Sequence, residues 1–96
     1  FDSDYWGASY KESAQWVREN FAKRMSVNVF SCDVPFAVNY YSHNLFQMVF
    51  EEEEADFILC DLDNTVQKNY NLPVLYKVER EGVPLNVVLD NRQFKR

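Results

Sequence analysis

"PVLYKVEREGVPLNVVLDN", residues 73–91, decides the fold. Two β-rich runs flank Glu81-Gly82, and a glycine there supplies the positive φ that a tight hairpin turn requires. Counting across a two-residue loop pairs Val78 with Leu85 and Tyr76 with Val87. Pro84 has no N–H to give to a ladder, so that part of the last strand belongs at an edge or a bulge. A chain that ends in an antiparallel pair cannot be a purely parallel, doubly wound sheet.

Moving toward the N-terminus, "DFILCDL" (56–62) is a nearly unbroken apolar run, the pattern of a central strand buried on both faces. "SVNVFSC" (26–32) reads as a short strand. Asp33 followed by Pro35 supplies a helix start, and a helix is expected over 34–43 with Phe36, Ala37, Tyr40 and Tyr41 on one face. "LFQMVFE" (45–51) reads as a strand with Phe46, Met48 and Phe50 on one side. Residues 26–51 therefore form a strand-helix-strand unit with parallel strands and a right-handed crossover.

Glu51 to Glu54 are read as a solvated, solubilising turn, and residues 64–73 as polar and irregular. Near the start, Ser9-x-x-Glu12 has the form of a capping box. Tyr10, Ala14, Val17 and Phe21 follow at helical spacing, so a helix is expected over 10–24, with Trp16 clamping it to the sheet. The expected fold is α/β: a small mixed sheet of about five strands with two packed helices, ending in an antiparallel hairpin.

The 96 residues make one domain, since two halves would each be too small to hold a core. Ten basic and fifteen acidic residues give a net charge of −5, without a basic stripe, and this argues against nucleic acid as a partner. No apolar run reaches the ~20 residues that cross a bilayer. The chain is expected to be soluble as given, and its start at Phe1 suggests a piece of something longer. Cys32 and Cys60 offer no thiolate zinc site. Two buried thiols are the default expectation, with a disulfide open if their strands are neighbours in an oxidising compartment.

Within "FILCDLDNTV" (57–66), Asp61-x-Asp63-Asn64-Thr65 resembles the first motif of the haloacid dehalogenase phosphatases. That resemblance makes Asp61 a nucleophile, Asp63 an acid/base and Thr65 a phosphate-binding hydroxyl, with Mg²⁺ between the carboxylates. The surroundings argue otherwise. Sixty residues precede the motif, and the C-terminal remainder of the chain holds Lys68, Lys77 and Asp90 but no strand-helix repeat. The alternative is a strand end and a turn, because Asp and Asn side chains bond to their own backbone.

The rest of the chain carries a second resemblance. "YWGASYKESAQWVREN" (5–20), Pro35 with Tyr40-Tyr41, "ADF" (55–57) and "LYKVEREGVPL" (75–85) fall in one order. Together they resemble the C-terminal soluble domain of bacterial membrane glycosyltransferases related to the dolichyl-phosphate-mannose protein mannosyltransferases, glycosyltransferase family 39. The likeness implies a parent with many transmembrane helices that transfers sugar from a polyprenyl-phosphate carrier, its catalytic acids lying N-terminal to this region. This domain would then be periplasmic and noncatalytic, with no cofactor or metal of its own. It would contact the membrane part, help bind a glycan or the carrier-linked sugar, or stabilise the whole.

Few other residues offer chemistry. Tyr5, Trp6 and Tyr41 are candidate glycan or membrane-interface contacts, since aromatics outside a periodic face can stack on sugars or sit at headgroups; packing against the core is the alternative. His43 has no neighbouring ligands and is expected at a helix end. The remaining alternatives are a small phosphatase-like or phosphate-binding protein using Asp61 and Asp63, and a free-standing interaction module.

Overall fold

A computed structural model of the chain describes residues 2–21, 27–32, 46–62, 65, 68 and 70–94, with the side chains of 2–8 left aside. Helix α1 (Asp2–Phe21) is followed by β1 (Val27–Ser31), β2 (Phe46–Met48), a 3-10 turn η1 (Glu52–Glu54), β3 (Phe57–Asp61), β4 (Val74–Arg80) and β5 (Val83–Asp90). The five strands form one sheet in the order β2-β1-β3-β5-β4. β1 runs parallel to β2 and β3, while β5 runs antiparallel to β3 and β4. The expected mixed α/β architecture with its closing hairpin is what forms.

Every residue of β3 is buried, as its continuous apolar run requires for the strand at the centre of the sheet. Alternation then sorts the side chains between two faces. Val27, Val29, Phe57, Leu59 and Val88 face α1 and pack with Tyr10, Ala14 and Val17. Ile58, Cys60, Val87 and Leu89 face the other way, where Phe30, Tyr70 and Leu72 join them.

α1 begins seven residues before the expected capping box. Ser9 is buried inside the helix rather than at its cap. Nothing between Asp2 and Ser9 stops a helix: Gly7 costs only about 1 kcal/mol, and acids at Asp2 and Asp4 suit an N-terminus. Tyr5 and Trp6 therefore have helical backbone instead of preceding the helix. Trp16 clamps as expected, stacking on Tyr76 of β4 at 5.1 Å between ring centroids. Beside it Glu12 accepts from the Tyr76 hydroxyl at 2.5 Å and pairs with Arg80 at 3.0 Å.

The hairpin turn forms at Glu81-Gly82, and both residues have positive φ, 54° and 81°. Arg80 pairs with Val83 and Glu79 with Pro84, but a bulge interrupts the ladder beyond them. Val78 then opposes Asn86 rather than Leu85, and Tyr76 opposes Val88 rather than Val87. Pro84, lacking an N–H, sits at this irregularity. β5 is an interior strand, so of the two expected positions for Pro84 the bulge is the one used.

Other expectations need correction. β2 stops at Met48, and Phe50 is 80% exposed instead of sharing a buried side with Phe46. Glu51 to Glu54 are not simply a solvated turn, since Glu52 receives bonds from Lys68 and Tyr70. Thr65 and Lys68 have helical backbone within the stretch read as irregular. Cys32 and Cys60 are joined in a disulfide with Cα atoms 5.0 Å apart, because β1 and β3 are parallel neighbours and both residues lie on the face away from α1. The expected helix over 34–43, with Tyr40, Tyr41 and then His43, lies outside the described residues. Among the described residues no helix is long and apolar enough to cross a membrane.

Candidate functional site

Among the described residues two candidate sites stand out, one on each face of the sheet. The first is the carboxyl end of β3. Alternation along the strand turns residues 57, 59 and 61 toward α1, so Asp61 is only 4% exposed. Tyr10 of α1 meets it there. Its hydroxyl donates to Asp61 Oδ1 at 2.8 Å and accepts from the Asp61 backbone N–H at 3.0 Å. One turn along α1, Ser13 Oγ donates to Asn86 Oδ1 at 2.8 Å, and Asn86 is the residue that opposes Asp61 in the β3–β5 ladder. The Asn86 Nδ2 has no hydrogen-bond partner among the described residues.

This geometry is that of a polar seam within the helix–sheet interface. An attacking carboxylate must reach a substrate, whereas Asp61 accepts a hydrogen bond from the Tyr10 hydroxyl inside the core. Thr65 Oγ1 donates to the Asp61 carbonyl at 2.8 Å, a local back-bond. Asp63 lies outside the described residues. The cations and acids that could finish a phosphatase site are engaged apart from it: Lys68 with Glu52 at 2.9 Å, Lys77 with Glu79 at 3.8 Å, and Asp90 with Arg92 at 2.9 Å. The Arg92 guanidinium bonded to Asp90 holds that carboxyl below its usual value. No set of three or more metal-ligating side chains converges among the described residues.

The second place is a cleft of about 500 Å³ on the face opposite α1. Ile58 and Leu72 supply apolar lining. Glu52 holds one side, where Oε2 accepts from Lys68 Nζ at 2.9 Å and from the Tyr70 hydroxyl at 2.8 Å. Burial first, then the bond to Glu52 and its charge, push the Tyr70 phenol well above its ordinary value. Asn91 ties η1 to the end of β5 by donating from Nδ2 to the carbonyls of Glu52 and Ala55, at 2.9 and 3.0 Å. Asn71 and the ring of Phe94, 57% exposed, complete the lining.

Asp61 and Thr65, singled out in the sequence, meet at the end of β3 and are not among the residues lining this cleft. Tyr5 and Trp6 lie near the start of α1 with side chains outside the described set, and Tyr41 is outside it altogether. The cleft is made instead by residues that no motif marked. Glu52 is one acid in a run of four, and its spacing gives no hint of a role. Tyr70 had a signal: an aromatic isolated in a polar connection between strands, where binding residues are often carried. No family model, curated protein or solved structure matches this chain.

Proposed function

We propose that this chain is a noncatalytic, extracytoplasmic accessory domain of a membrane glycosyltransferase that uses a polyprenyl-phosphate sugar, with roles in acceptor binding or in stabilising the membrane part. The observation that carries the reading is the Cys32–Cys60 disulfide. Structural disulfides persist in oxidising compartments such as the bacterial periplasm and are rare in the cytosol. The order of quoted segments, from the Tyr-Trp-Gly start to the Val-Pro-Leu hairpin, supports the glycosyltransferase part. The buried, tyrosine-bonded Asp61 supports the noncatalytic part.

The test is made on the intact parent in cells. Alkylation of free thiols before and after reduction is expected to leave Cys32 and Cys60 unlabelled until reductant is added, and protease added to opened periplasm should reach this domain. Thiols that label without reductant, or a domain shielded behind the inner membrane, would overturn the localisation. Replacing the domain by a short linker should lower sugar transfer while leaving the membrane part inserted. Unchanged transfer and unchanged levels of the parent would remove the accessory role.

A further inference from the structure

We propose that the cleft beside Glu52, Tyr70 and Phe94 is a saccharide site that takes one or two rings of a neutral sugar. Its volume of about 500 Å³ falls in the roughly 300–1,000 Å³ range of small-molecule sites. Phe94 is 57% exposed and so offers an apolar face, while its backbone is fixed by a bond from its N–H to the Asn91 carbonyl at 3.0 Å. An exposed, positioned aromatic ring suits the C–H face of a pyranose.

The polar groups suit hydroxyls, which both donate and accept. The Lys68 ammonium has three donors and gives one to Glu52. Asn91 uses Nδ2 on two backbone carbonyls, which keeps its Oδ1 as an acceptor. Asn71 is exposed and carries both kinds of group. Glu52 is already fixed by Tyr70 and Lys68, so little side-chain freedom remains to be lost when a ligand binds.

Charge separates this class from its rivals. Among the described lining residues Glu52 and Glu53 outnumber Lys68, which disfavours phosphate or a carboxylate. A divalent cation would have to displace the lysine that already neutralises Glu52. The assignment deepens the proposed function and rests on it only for the source of the saccharide.

The test is an NMR titration of the 96-residue chain with methyl glycosides of glucose, galactose, mannose and N-acetylglucosamine, and with inorganic phosphate in parallel. At least one glycoside is expected to shift the amides of Asn71, Asn91 and Phe94 with saturation near about 1 mM. Phe94→Ala and Asn71→Ala, both at exposed positions, should weaken that binding about tenfold at an unchanged thermal midpoint. No shift of those amides with any glycoside at about 50 mM, equal affinity in both variants, or saturation by phosphate at a lower concentration would each overturn the site. Thiol labelling in the parent reads compartment and this titration reads the cleft, so either can fail alone.

Discussion

Tyr10 and Asp61, 51 residues apart, exchange two hydrogen bonds inside the core: the phenol donates to the carboxylate at 2.8 Å and accepts from the same residue's backbone N–H at 3.0 Å. One side chain thus satisfies both a buried acid and a strand-end donor. Tyr10→Phe leaves both partners in place without it. Because a hydrogen bond to a charged group contributes about 1.5–3 kcal/mol, a loss of at least about 2 kcal/mol is expected in urea unfolding. A change under about 0.5 kcal/mol would mean that the pair does not hold α1 to β3. The unaltered chain should release no phosphate from aryl phosphates with Mg²⁺, and turnover abolished by Asp61→Asn would restore the phosphatase reading.

Cys32 and Cys60 close a loop with a sequence separation of 28. Loop-closure entropy for that length corresponds to about 3.5 kcal/mol. Reduction, or Cys32→Ser with Cys60→Ser, is expected to lower the urea midpoint accordingly. Midpoints that coincide with and without reductant would show that the bond adds nothing to stability.

Glu81 holds φ at 54°, and both central positions of the Glu81-Gly82 turn are left-handed. Asparagine adopts that region more readily than glutamate, so Glu81→Asn should stabilise the hairpin by about 0.5 kcal/mol. Gly82→Ala should destabilise it by about 1 kcal/mol, although nothing lies within 4 Å of the added Cβ, because the cost is in the backbone. Thermal unfolding of the two variants reads opposite signs, and a stabilising Gly82→Ala would contradict the turn geometry.

The Glu12–Tyr76–Arg80 group makes stability depend on pH at both ends. The hydrogen bond from Tyr76, then Arg80, lower the Glu12 pKa from its ordinary 4.5. Its contribution is therefore present above that value and is lost as pH falls through the lower folded value. The bond to Glu12 also raises the Tyr76 phenol above its ordinary 10, so this contribution is present below pH 10 and fades as pH rises through the folded value. Glu12→Gln should flatten the acid limb of a stability–pH profile, and Tyr76→Phe the alkaline limb. Profiles parallel to that of the unaltered chain would refute the linkage.

The architecture was legible wherever a local rule acts on consecutive residues. The apolar run at 57–60 marked the central strand, Glu81-Gly82 the turn, and the Tyr10-Ala14-Val17 spacing the face that α1 buries. Errors came where a distant partner overrides the local signal. Ser13 looks like a surface residue until the sheet places Asn86 against it, and Ser9 is buried inside α1 where a cap was expected. The bulge after Glu79 moves Asn86 opposite Val78, and no count of loop residues anticipates it. The disulfide depended on which strands are neighbours, which spacing does not encode. The cleft was the least legible part, since Glu52, Tyr70 and Asn91 meet only after η1 and the end of β5 are brought together.

The bonds from α1 also dictate an order of assembly. Glu12 waits for Arg80, 68 positions later, and Ser13 for Asn86, 73 positions later. Synthesis releases α1 well before Arg80 and Asn86, so β1 and β3 can cover its apolar stripe while the polar bonds that fix it to β4 and β5 wait for the hairpin. Contacts so far apart in the chain slow folding, and a nascent chain stalled before the final hairpin would expose a sticky intermediate to chaperones or proteases.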